Sequence, residues 1–324
     1  MKVGVVDDHG EQLSFVKVPT HASKGPEVGI TNIIRAIERV VGESPVTLQG
    51  VTGIGLATPG TMDIPEGMLL TPHNLPGWNN FPIRQRITDH FGIPTVLQND
   101  ANAAAYGEFW SGAAKNYDSV AFWTLGTGIG CGIILGDFIV EGAHSHGAEC
   151  GHIVIEMING RRCDTGQYGT VEAYASAKSL VRRCEESLRS GRASVLREWL
   201  ADGQELTPLL IAQAAEAGDG FADKLVMNTA RYLGVATTTL MHTVNPAAIL
   251  LGGAMTFGEH NSELGQRFLE TVKDEVKRRA FPVPAEKTVI DYATLGGDAG
   301  FIGAAGCARL AIKQGHRVSQ PVAT

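Results

Sequence analysis

The chain has 324 residues, of which 44% are hydrophobic and 19% charged, and its net charge is -7. That balance suits a globular protein with ample core and gives no basic footprint for nucleic acid. No apolar run approaches the ~20 residues of a membrane helix, and the opening MKVGVVDDHG has neither the basic flank nor the apolar stretch of a secretory signal. The five cysteines, at 131, 150, 163, 184 and 307, form no C-x-x-C pair, which predicts reduced thiols and a cytoplasmic location.

Glycine is the unusual component. The 40 glycines gather at Gly53–Gly60, Gly126–Gly136, Gly147–Gly169, Gly252–Gly253 and Gly296–Gly306 rather than in a repeat. Such clusters mark tight turns or backbone that approaches a ligand closely. In chain order, residues 2–6 and 13–18 read as strands joined by an Asp-Asp-His-Gly turn. Ile30, Ile33, Ile34, Ile37 and Val41 predict an amphipathic helix over 27–41. Val51–Ala57 reads as a strand ending in Thr58-Pro59-Gly60, and Ile83, Ile87 and Phe91 mark one helical face. Thr95–Leu97 is a buried strand running into Gln98-Asn99-Asp100, and Ala101–Phe109 a helix with Asp100 placed as its N-cap.

Further on, Val120–Leu125 and Gly132–Leu135 read as strands around the loop Gly126–Gly130, and 171–245 is mostly helical in pattern. Ala247–Leu251 is a buried strand ending in Gly252-Gly253, followed by a charged helix over 262–279, a strand over Thr288–Tyr292 and a closing helix over Ala299–Lys313. Strands alternate with helices, so the class is α/β. No Pro- or Ser-rich linker separates the halves, which predicts two closely packed lobes with a cleft between them.

Three segments carry candidate chemistry. The loop Gly126-Thr127-Gly128-Ile129-Gly130 follows a buried strand and can aim backbone N–H groups at phosphate oxygens, with the Thr127 hydroxyl as a further donor. A glycine-rich hairpin explains the same residues equally well. The loop has no lysine to make a P-loop and no G-x-G-x-x-G with the following acidic residue of a dinucleotide site. Asp100 ends a buried strand and opens a helix, where it can serve as the carboxylate near an acceptor hydroxyl or simply as a cap. Glu141 to His152, with its three histidines, Glu149 and Cys150, suits sugar hydroxyls or a metal. A polar ligand pocket is the preferred reading, because the spacing matches no standard zinc motif.

Together these segments resemble the ROK family and, within it, the ATP-dependent glucokinases. The resemblance covers nearly the whole chain and rests on GLATPGTMD (55–63), NLPGWNNFPI (74–83), QNDANAAAYGE (98–108), LGTGIGCGI (125–133), GAECGH (147–152) and NPAAILLGG (245–253). It implies the two-lobed ribonuclease-H-like fold of actin, Hsp70-type ATPases and sugar kinases, with the active site between lobes. The small lobe is expected at 1–113 plus the C-terminal helix 299–324, and the large lobe at 114–298. The resemblance implies ATP-dependent transfer of a phosphoryl group to a hexose, glucose first, with Mg²⁺ and with Asp100 as general base. Asn74, Pro59, Gly60, Asn99, Glu149, His152 and Glu172 would line or hold the sugar. Gly126, Thr127, Gly128 and Gly130 would cradle phosphates, and Gly252 and Gly253 would lie near the adenosine. By analogy the protein would be a homodimer. Fructose, mannose or an N-acetylhexosamine are alternative acceptors, and a non-catalytic sugar sensor is the alternative of another class.

Two departures qualify the match. Lys2–Gly10 fits the family's second strand and turn better than its D-x-G-G-T phosphate loop, so the first strand and that loop are expected either to lie upstream of Met1, the preferred reading, or to have been lost. The family's structural zinc uses a histidine and three cysteines in C-x-C-G-x-x-G-C, whereas here the segment is Cys163-Asp164-Thr165-Gly166-Gln167-Tyr168-Gly169-Thr170. His152 and Cys163 are the only retained ligands. Neutral threonine is a poor zinc ligand, so no structural zinc is expected.

Overall fold

The computed structural model describes residues 1–72 and 75–315. The chain forms two compact units. The first comprises Met1–Val120, Gly132–Ala148 and the described residues from Thr294 onward; the second comprises Ala121–Cys131 and Glu149–Ala293.

In the first unit, β1 (Lys2–Val6) and β2 (Gln12–Lys17) pair antiparallel around the predicted turn, with Lys2 opposite Lys17. Helix α1 (Pro26–Gly42) follows, with Pro26 at its first position, where a missing N–H costs nothing. Strand β3 (Ile54–Thr58) runs parallel to β6 (Thr95–Asn99), which places Thr58 opposite Asn99. Between them come a short hairpin of β4 (Met62–Asp63) and β5 (Met68–Leu69), and helix α2 (Ile83–Phe91). Among the described residues β1–β2 and β3–β6 are separate two-stranded sheets. Both contribute to one core containing Val16, Ile30, Val40, Ile54, Leu69, Trp78, Ile87 and Leu97.

Helix α3 (Asp100–Trp110) starts where β6 ends, and the closing helix α11 (Ala299–Lys313) crosses it. The crossing is close enough to require glycine. A Cβ on Gly107 would lie 2.5 Å from the Ala299 carbonyl oxygen, and one on Gly303 would overlap the Ala103 carbonyl. Gly303→Ala must therefore push two backbones apart. It is expected to cost at least about 1–3 kcal/mol as an overpacking defect, seen as a lower urea midpoint with an unchanged m-value.

A five-stranded sheet has the order β11-β10-β7-β8-β9, built from β7 (Ser119–Leu125), β8 (Ile129–Leu135), β9 (Phe138–Ile139), β10 (Ala248–Gly252) and β11 (Val289–Tyr292). The division into units falls within β7 and β8. Beyond it the second unit is largely helical: α4 (Glu172–Ala175), α5 (Ala177–Arg189), α6 (Leu196–Ala201), α7 (Pro208–Glu216), α8 (Gly220–Val244), α9 (Glu263–Arg279) and α10 (Pro282–Lys287). The long α8 packs against α4, α5, α7 and α9. Asp219 caps its start by accepting from the amides of Phe221 and Ala222, and Asn245 ends it in the left-handed region at φ 45°.

Candidate active site

In the first unit the catalytic candidates stand at the C-terminal ends of two parallel strands. Because Thr58 and Asn99 are in register, Pro59-Gly60 and Asp100 leave the sheet side by side. Gly60 has φ 93°, and a Cβ there would lie 2.8 Å from Pro72, so the turn depends on glycine. Asn74 lies outside the described residues.

The cap of α3 is Asn99, not Asp100 as the sequence predicted. Asn99 is extended (φ -65°, ψ 142°), and its Oδ1 accepts from the amides of Ala101 (2.9 Å) and Asn102 (3.3 Å). The strand runs to Asn99, so the helix starts one residue earlier than the pattern suggested. Asp100 is then the first helical residue, with one hydrogen bond, from the Ala101 amide at 2.9 Å to Oδ1. Its side chain keeps an exposed face, yet surrounding protein desolvates the carboxyl enough to raise its pKa above the usual aspartate value. The exposed face moderates that rise without changing its direction.

Behind these residues sits a group that the sequence reading passed over. Gln98 is 2% exposed. Its Oε1 accepts from the Asn99 amide (2.8 Å) and from Asn102 Nδ2 (3.1 Å), and its Nε2 donates to Glu141 Oε1 (2.6 Å). It fixes the strand-to-helix turn and ties it to Glu141. A buried amide directly before a cap was the available signal.

In the second unit the two glycine turns come together. The three residues Gly126–Gly128 join β7 to β8, and Gly253, at φ 103°, lies against Leu125: a Cβ on it would come 2.7 Å from the Leu125 nitrogen. The Met255 amide donates to the Leu125 carbonyl at 3.0 Å. Thus β7 and β10 end at the same place, with backbone rather than side chains on display. The amides of Thr127 and Gly128 have no partner among the described residues, and Thr127 is exposed. These are free donors of the kind a phosphate requires.

Glu149 precedes, and His152 ends, a 3-10 turn (Cys150–His152) pressed onto the start of β8. A Cβ on Gly151 would overlap the Ile129 carbonyl, and the buried thiols of Cys131 and Cys150 hydrogen-bond to one another. Burial pushes the Cys131 thiol well up, so it stays protonated. His152 Nδ1 is buried without a partner among the described residues, and such a group calls for a ligand. Glu172 opens α4, and its Oε2 accepts from the Ile129 amide at 3.1 Å.

The altered zinc segment folds onto itself. Cys163 Sγ lies 3.0 Å from Thr165 Oγ1 and 3.3 Å from Gln167 Oε1, and Thr165 Oγ1 donates to Gln167 Oε1 at 2.5 Å. Burial raises the Cys163 thiol, but hydrogen bonds from Thr165, Thr170 and the backbone outweigh it and leave the pKa lowered. So the threonines that stand in for two cysteines do gather at Cys163, as hydroxyl partners of the thiol. Among the described residues no three His, Cys, Asp or Glu side chains are grouped as metal ligands, and no helix is long and apolar enough to cross a membrane.

Comparison with solved structures defines the class. The chain is similar to the ROK hexokinase from Thermus thermophilus (TM-score 0.80, 31% identity, covering 97% of this chain and 100% of that one). It is also similar to a ROK family glucokinase from Streptomyces griseus in complex with glucose and AMPPNP (TM-score 0.74, 31% identity, covering 94% and 95%). The fold is that of the actin-like α/β sugar kinases. Residues 1–311 match the ROK family, and the chain is 32% identical to a glucokinase from Halalkalibacterium halodurans over 94% of this chain and 90% of that protein. The chain belongs to the ROK family. Xylose repressors are also similar, one from Caldicellulosiruptor bescii at 29% identity over 76% of this chain and 59% of its own length.

Proposed function

We propose that this protein phosphorylates a hexose with ATP, glucose being the preferred acceptor. The observation that carries the reading is the division of labour at the end of β6. Asn99 does the capping, so Asp100 is not required as the cap and remains a carboxylate with a raised pKa at the head of a helix. A group so placed can take the proton from an acceptor hydroxyl as the phosphoryl group arrives. In the first unit Asn99 Nδ2, with Pro59 and Gly60 beside it, and in the second unit Glu149, His152 and Glu172, offer polar surroundings suited to sugar hydroxyls. The free amides of Thr127 and Gly128 receive phosphate oxygens, with open space beside Gly126 and with Gly130 following in β8. Gly252 and Gly253, packed against Phe122 and Leu125, shape the end of β10, beside which the rest of the nucleotide would lie. Mg²⁺ arriving with ATP would bridge phosphate oxygens and neutralise developing charge.

Asp100, a carboxylate not used as the helix cap, favours catalysis over sensing. The test is ADP release from Mg-ATP with glucose, mannose, fructose and N-acetylglucosamine in turn. Highest kcat/KM with glucose is expected. Glucose binding by calorimetry without ADP release would make the chain a sensor.

A further inference from the structure

The loop between β7 and β8 has one hydrogen bond of its own, from the Gly126 amide to the Gly128 carbonyl at 3.1 Å, and is otherwise anchored from outside. Its first carbonyl, on Gly126, accepts from the Ala177 amide at 3.0 Å. Past the turn, the Ile129 amide donates to Glu172 Oε2 at 3.1 Å. Both anchors come from one corner, where α4 meets α5, and that corner is internally locked. Buried Ser179 donates its hydroxyl to the Glu172 carbonyl at 2.7 Å and lies 2.9 Å from the hydroxyl of buried Ser176. A Cβ on Gly128 would strike Glu172 Oε2, so carboxylate and loop fit as a matched pair. Glu172 Oε1 has no partner among the described residues and remains available as an acceptor.

We infer that Glu172 is a positioning residue for the nucleotide loop as well as a hexose contact, one carboxylate oxygen fixing the loop and the other facing the sugar. This rests on the kinase reading above and extends it. The two substrate sites then share a side chain, and a change at Glu172 alters nucleotide binding even with no sugar present. The carboxylate charge opposes a polyphosphate nearby, while its hydrogen bond shapes the loop that receives one. The two effects separate by substitution. Glu172→Gln keeps an oxygen for the Ile129 amide and removes the charge; Glu172→Ala removes both.

The experiment measures the Kd of Mg-AMPPNP by calorimetry without hexose, for wild type and both variants, alongside deuterium exchange at the Ile129 amide. A hydrogen bond to a neutral acceptor, as in Glu172→Gln, is worth up to about tenfold in an equilibrium constant. Glu172→Ala is therefore expected to weaken nucleotide binding about tenfold relative to Glu172→Gln, with faster exchange at Ile129. Glu172→Gln is expected to bind nucleotide at least as well as wild type but to lose hexose affinity. Nucleotide affinity in Glu172→Ala within twofold of both wild type and Glu172→Gln overturns the inference while leaving the kinase reading intact. Absence of nucleotide binding in wild type overturns both. A general folding defect is separated from either result by the Glu172→Gln rescue.

Discussion

Asp100→Asn should lower kcat by about 10²–10⁴-fold, the range for removal of a general base, while the protein stays folded. The two halves of that expectation have separate causes. Asparagine has nearly the shape of aspartate but cannot take a proton from the acceptor hydroxyl. The helix start does not depend on residue 100, because Asn99 holds the amides of Ala101 and Asn102. Nor does the carboxylate stabilise the fold at neutral pH. Desolvation raises its pKa in the folded state, so between the unfolded and folded values the folded protein binds more protons. Stability therefore falls as pH rises through that window. Removing the charge should leave the melting temperature unchanged or slightly higher. Asn99→Ala provides the contrast, with the loss of about 1 kcal/mol typical of a missing cap. For the wild type, the acidic limb of the kcat/KM profile should lie above the usual aspartate pKa of about 3.9. A kinase whose Asp100→Asn variant keeps full turnover would remove Asp100 from the mechanism.

The same turn shows what the sequence could and could not reveal. The α/β alternation, the strand ends and both glycine turns were legible, because each is a local pattern of apolar spacing and small residues. The cap was misplaced by one residue, since Asn and Asp cap equally well and the choice depends on where pairing with β3 ends. The β4–β5 hairpin was missed because two-residue strands carry no period. The Glu172 bond to Ile129 spans 43 residues, and no local pattern encodes such a contact. Substituted cysteines could be seen in the sequence, but not that Thr165 and Gln167 would close around Cys163.

Glu108 gives the largest expected effect on stability. It lies in the last turn of α3, where the helix dipole disfavours an acid, and it is 0% exposed. That conflict was the sequence signal for a hidden set of donors. Its Oε2 accepts from the Ala113 amide at 2.8 Å and the Thr294 hydroxyl at 3.3 Å, and its Oε1 from the amides of Thr294 (3.1 Å) and Leu295 (2.7 Å). One carboxylate thus closes the end of α3 and fastens it to the segment that begins α11. Glu108→Ala would leave three backbone amides without this acceptor, and each buried unsatisfied donor costs about 1–3 kcal/mol. Water entering the space recovers part of that, so a loss of about 4 kcal/mol is expected, at the upper end for single substitutions. Glu108→Gln keeps one oxygen but turns an NH₂ toward amide donors, and should lose about half as much. Urea denaturation monitored by the near-UV signal checks both values. Because α3 carries Asp100 at its other end, the Gln variant should also lose activity through kcat with KM for hexose little changed. A Glu108→Ala protein as stable as wild type would show that the α3–α11 glycine crossing alone holds these helices together.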